Sequence, residues 1–211
     1  MRPKILEDLK KIETRRNILH NIILALLVVD NEPIRGRTKL QKMVFLLSQI
    51  IPELKENVKY NPYNYGMYDE NVDTALEFLE SENIIKRIEE PIDNEKYIEI
   101  FELLDKSVGE EALNKLKQYI DYIKQIKEQY NDLTEDEVLA IVYTLYPEYA
   151  QYSEKKEEIE KKKLDIAINL YKKGKVSIGL ASKIAEKSIH DFVDLLKKRG
   201  IKINIEDESN L

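Results

Sequence analysis

The sequence predicts a mainly α-helical protein in two modules: a winged-helix-like N-terminal domain with a β-hairpin wing, and a small C-terminal helix-turn-helix module. Three observations predict it. The front half orders its apolar patterns as helices followed by two alternating strands around a turn. Near the end, two short apolar helices flank a turn of two residues, Glu186 and Lys187. Between them lies SEKKEEIEKKK, Ser153–Lys163, with Glu157 and Lys161 at i, i+4 and almost no apolar residue. Domain limits follow at 1–153, with a charged helical connector at 154–163 and the helix-turn-helix module at 164–211.

The elements follow in chain order. Ile5, Leu9 and Ile12 keep helical spacing after Pro3. Ile18–Val29 reads as a buried helix stopped by Asp30-Asn31 and Pro33. Arg37 or Thr38 opens the next helix, whose Leu40, Met43, Val44 and Leu47 are expected inside and Lys39 and Lys42 outside. The tyrosines of the 60–68 loop, Tyr60, Tyr63, Tyr65 and Tyr68, are expected to pack that loop on its own domain; base stacking or a protein contact are the alternatives. Asp69 caps a helix carrying Val72, Ala75, Leu76 and Leu79. Ile84–Ile88 and Lys96–Leu103 form the wing. Gly109–Tyr130 reads as one long charged helix, and Thr134 with Glu137 makes a capping box for Glu135–Tyr146.

In the C-terminal module Ser177 caps a helix with Ile178, Ala181, Ile184 and Ala185 inside. Ser188 caps the second helix, and the Asp191 side chain is expected to reach back to the Ser188 amide. Ile189, Phe192, Val193 and Leu196 should form its buried face, and Gly200 its left-handed end. Ile201, Ile203 and Ile205 then alternate as a short strand that either pairs with a two-fold mate or closes the domain's own core.

Two stretches resemble known families. Ala167, Leu170, Tyr171, Lys173, Gly174, Lys175, Ser177, Ala181, Phe192, Leu196, Gly200 and Ile201 resemble the pattern of a family of small prokaryotic helix-turn-helix proteins of uncharacterised function, often described as antitoxins. One departure is the turn, which lacks the glycine common in DNA-binding members of this class. In the front half, Arg37, Leu40, Gln41, Lys42, Phe45, Leu46 and Leu47, followed by Tyr65, Gly66, Met67, Tyr68, Asp69, Leu76, Leu79, Ile84 and Ile85, resemble the Panacea antitoxin-associated domain. Met67 stands where that pattern has proline, and Asp69 where it has serine. The resemblances imply a regulatory or toxin-neutralising protein with no active site to carry over.

Composition bounds the chemistry. The chain has no cysteine and two histidines, so thiolate and clustered imidazole metal sites are not expected, nor are cofactors. No phosphate-cradling glycine loop or nucleophile with a nearby histidine appears, so no enzyme is expected. The longest apolar run, Ile22–Val29, is far short of the ~20 residues of a membrane span, and a cytoplasmic location follows. The charged fraction, 35%, with no tryptophan, resembles thermophile composition.

The net charge of -6 is unevenly spread. Residues 1–44 hold ten Lys/Arg against five Asp/Glu, and residues 164–205 hold nine against four. Basic ends flanking an acidic body fit double-stranded DNA as a partner. In the second helix, Ser188, His190 and Asp194 are the expected base-contact residues, although the Asp194 carboxylate repels phosphate unless it accepts from a cytosine amino group. Lys175, Lys183 and Lys187 should hold phosphates, with Lys197 and Lys198 further along. Arg35, Arg37, Lys39 and Lys42 form the densest basic cluster of the front half, read either as phosphate contacts or as a solvated helix face. The expected function is a DNA-binding transcriptional regulator, an antitoxin that represses its own operon as a homodimer. The alternative is a protein-interaction module that neutralises a cognate toxin without touching DNA.

Overall fold

A computed structural model describes residues 18–63, 66–92, 96–151 and 153–203. The expected helix at 5–12 and the chain from 204 onward lie outside the described residues. The protein is mainly helical with a small antiparallel sheet, as its sequence pattern requires. It divides into two compact units, 1–61 with 67–132, and 133–211 with 62–66. That division lies upstream of the charged run 154–163, which begins a longer helix instead of standing between domains. No helix of the described residues is long and apolar enough to cross a membrane.

The first unit opens on α1, described over 18–28, with Ile22, Ile23, Ala25 and Leu26 fully buried. β1 (Ile34–Arg35) leads through Gly36, at φ 103, into α2 (Arg37–Ser48). Only glycine takes that backbone conformation cheaply, and it lets the Gly36 amide donate to the Glu99 carbonyl at 2.7 Å. After α3 (Pro52–Lys55) come the paired strands β2 (Asn61–Tyr63) and β3 (Gly66–Tyr68), whose residues 62–66 are counted with the second unit, then α4 (Glu70–Ser81). β4 (Ile85–Pro91) and β5 (Tyr97–Leu103) form the wing, with Ile88 opposite Ile100. β1 adds to the far side of β5, Ile34 opposite Phe101, giving the order β1-β5-β4. α1, β1, α2, α4 and a hairpin whose second strand pairs with β1 are the winged-helix arrangement, with the short α3 and the β2-β3 pair inserted between α2 and α4.

Two details differ from expectation here. The long helix over 109–130 is broken: α5 (Lys106–Lys115) passes through a 3₁₀ turn at Lys117–Tyr119 into α6 (Ile120–Tyr130). The Leu116 amide reaches both Ala112 and Leu113, tightening the last turn. Lys127 of α6, four residues after the buried Ile123 on the same helix face, is only 1% exposed. Its ammonium donates to the Glu32 carbonyl at 2.7 Å and sits 3.4 Å from Asp30. Burial lowers its pKa and Asp30 opposes that shift. A polar residue on the stripe therefore closes the loop after α1 instead of ending the packing.

The second unit holds α7 (Glu135–Leu145), α8 (Pro147–Ala150), α9 (Lys156–Lys172), α10 (Ile178–Ile184) and α11 (Ile189–Lys198). The expected capping box is present: the Thr134 amide donates to Glu137 at 2.9 Å and the Glu137 amide to Thr134 Oγ1 at 3.2 Å. α7 packs on α9, and α9 on α10. Ile159, inside the charged run, is buried, so this polar stretch is the first two turns of a packed helix. Residues 201–203 are not in a strand, so the apolar alternation there does not mark one among the described residues.

Candidate nucleic-acid interface

α9, α10 and α11 end in one backbone device. At each C-terminus the second residue past the cap donates back five positions: Lys175 to the Leu170 carbonyl (3.0 Å), Lys187 to Ser182 (2.9 Å) and Ile201 to Leu196 (2.9 Å). The residue before each is left-handed: Gly174 at φ 69, Glu186 at φ 50 and Gly200 at φ 68. The glycine absent from the turn between α10 and α11 is thus replaced by a glutamate held in glycine's conformation. Its carboxylate pairs with Lys163 of α9.

This turn aims α11. Ser188 Oγ accepts from the Asp191 amide at 3.1 Å and caps the helix. The Asp191 carboxylate accepts from the Ser188 hydroxyl at 2.6 Å, where a bond from the backbone amide was expected. Phe192, Val193 and Leu196 are buried, with Phe192 edge-on to Tyr171 of α9 at 6.5 Å between centroids. Ile189 departs from expectation: it is 43% exposed. It is the first helical residue of α11, and the i, i+3, i+4 pattern overcounts the core by this one position.

The first turns of α11 therefore present Ile189, His190 and Asp194. The His190 ring is almost fully exposed, and its Nε2 lies 3.7 Å from Asp194 Oδ2. Ser188 is exposed too, but its hydroxyl is committed to the cap. Lys183 and Lys187, on α10 and the turn, are exposed, as are Lys197 and Lys198 on the last turn of α11. No ion pair to any of these four is present among the described residues. Lys175 is half-buried. Two other cations of the unit are tied: Lys173 to Glu137 at 2.7 Å and Arg199 to Asp165 at 3.1 Å.

The basic cluster of the first unit has another fate. Lys39 and Lys42, expected to point outward, are 5% and 1% exposed. α2 packs against α6, α3, β1 and β5, so it buries every residue from Lys39 to Ser48, and a one-sided helix was the wrong premise. The Lys39 ammonium donates to the Asn131 carbonyl at 2.8 Å. Arg37 makes two bonds to Glu99, 2.6 and 2.7 Å, and lies 3.1 Å from Asp73. The hydrogen bond to Glu99 holds the Arg37 guanidinium above its ordinary pKa against burial, and the same bond holds the Glu99 carboxyl below its own. Arg35 pairs with Glu90 at 2.6 Å and stays half-exposed.

α4 occupies the place where a winged helix carries its reading helix. It holds Glu70, Asp73, Glu77 and Glu80 and no basic residue. Asp73 faces Arg37, and Glu80 faces Arg87 at 3.1 Å, while Glu70 and Glu77 are exposed beside Phe78, 45% exposed. The tyrosine loop turns inward at both ends. Tyr60 meets Phe45 edge-on at 5.0 Å, and the Tyr68 hydroxyl donates to Asp73 at 2.6 Å, which pushes its pKa up to about 12.

Comparison with known proteins locates the similarity in the second unit. Residues 146–210 match an uncharacterised protein family, UPF0175. The chain is 42% identical to a UPF0175 protein of Aeropyrum pernix over 52 residues, 24% of this chain and 58% of that one. It is 44% identical to a UPF0175 protein of Archaeoglobus fulgidus over 49 residues, 23% of this chain and 56% of that one. The chain thus spans somewhat more than half the length of these relatives. The matched region takes in α8 to α11, the whole of the helix-turn-helix.

Proposed function

We propose that this protein is a DNA-binding transcriptional regulator whose C-terminal helix-turn-helix reads double-stranded DNA, and that it is an antitoxin-type repressor of its own operon. One observation carries the proposal. The first turns of α11 are open to solvent, and Lys183 and Lys187 stand exposed beside them. Lysines so placed attract phosphate and fix the register, and the exposed turn then meets base edges. The front-half cluster offers no such surface, because its cations are buried or held by carboxylates. One helix-turn-helix covers few base pairs, so the regulator acts as a homodimer on paired half-sites, in the cytoplasm. Fluorescence anisotropy with a duplex from upstream of its own gene tests this. Tight binding that weakens steeply with salt, against a shuffled duplex that binds less, is expected. Equal binding to both duplexes, or none, refutes it. Light scattering of the complex tests the dimer, which a strict monomer on DNA refutes.

A second role belongs to the first unit. The acidic exposed face of α4 favours a protein partner over phosphate, namely a cognate toxin. Co-purification with the product of an adjacent gene, lost in Glu77→Lys, is the expected result. Retention in that variant argues against this face.

A further inference from the structure

We propose, resting on the DNA-binding role above, that Ile189 is a specificity residue that reads the 5-methyl group of a thymine in the major groove. From α9 onward Ile189 is the one exposed large apolar side chain among the described residues. It stands at the first position of α11, the helix whose N-terminal turn enters the groove. Its neighbours on that turn, His190 and Asp194, are polar and can bond base edges. An isoleucine cannot. Set against a donor or acceptor edge it would strip water from a polar atom and return no bond. The floor of the major groove offers one group it does complement, the thymine methyl.

The geometry that exposes it is built in. Glu186 in the left-handed conformation ends α10, and the Ser188 cap starts α11 only two residues later. The turn and the cap thus set Ile189 at the head of α11, where it is 43% exposed. Lys183 and Lys187 lie in sequence just ahead of it, the groups that would fix the phosphates on either side.

Uracil is thymine without the methyl, so a single substitution in the DNA isolates the contact. Full-length protein would select binding sites from a random duplex library. Each thymine of the selected duplex would then be replaced singly by deoxyuridine, and affinity measured at fixed salt. Burying one methyl corresponds to about a fourfold change in affinity. Wild-type protein is expected to lose about that factor at one thymine per half-site. Ile189→Ala should bind the thymine duplex more weakly and be indifferent to deoxyuridine at that position, while Ile189→Val keeps the preference. If no thymine methyl matters, or Ile189→Ala keeps the wild-type sensitivity, the inference is overturned while DNA binding stands. If the library yields no selected sequence, both fall together.

Discussion

Lys183 and Lys187 provide the first quantitative handle on the interface. Both are exposed, one at the end of α10 and one in the turn before α11, and neither shares an ion pair with a described residue. A lysine that neutralises one phosphate releases about 0.9 of a counterion, so its loss flattens the slope of log affinity against log salt by ~0.9. Between about 50 and 200 mM salt that amounts to ~3.5-fold for one lysine and ~12-fold for two. Lys183→Ala with Lys187→Ala should therefore bind far more weakly than wild type at low salt, with the gap narrowing about 12-fold at the higher salt. The loss should be the same on specific and shuffled duplexes, because phosphates carry no sequence. Anisotropy titrations across a salt series measure this. Thermal unfolding should stay within about 0.5 kcal/mol of wild type, as expected for exposed sites. An unchanged slope in the double variant refutes phosphate contact at α10 and its turn.

His190→Ala should change which duplexes are preferred, at a cost of roughly 1–3 kcal/mol on the best one; competition among selected sequences reads this. Gly109→Ala should destabilise the fold by about 1–3 kcal/mol, since added atoms in a packed core force shifts. An alanine Cβ there would lie 2.7 Å from a Leu103 methyl and 2.8 Å from Val28 Cβ, and chemical denaturation measures the loss. Glu99→Gln should cost about 1–3 kcal/mol near neutral pH by removing a charged acceptor from Arg37. Because the folded-state pKa of Glu99 is lowered, its contribution is full above the ordinary glutamate pKa and fades as pH falls through the folded value. The gap between Glu99→Gln and wild type should therefore close in acid, which melts at neutral and acid pH would check.

Much of the fold was legible because its signals are local. Ser177, Ser188 and Thr134 cap where their spacing places them, and Gly200 ends α11 in the left-handed conformation. The wing and the caps need only neighbouring residues to be read. What escaped depends on distant packing. Lys39 and Lys42 look like a solvated face until α6 and the sheet close over α2 from both sides. Lys127, a charged residue on the buried face of α6, is accommodated by the distant loop carbonyl of Glu32. The same reasoning covers the site. His190, Asp194, Lys183 and Lys187 are exposed as the helical period requires. Ile189 was misassigned because periodicity places a residue on a face but does not report whether anything lies opposite its first turn. The boundary expected near 154–163 rests on polarity alone, whereas the run begins a packed helix in which Ile159 is buried.

The C-terminal unit, and not the winged-helix unit, is the one proposed to read DNA. The most direct test is one titration of the upstream duplex with two full-length variants. One carries Lys183→Ala, Lys187→Ala and His190→Ala, and the other carries Arg35→Ala, which removes the exposed cation of the front cluster. Binding lost in the first and retained in the second is the predicted result. Binding retained in the triple variant and lost in Arg35→Ala would contradict the claim and move the DNA contact to the first unit.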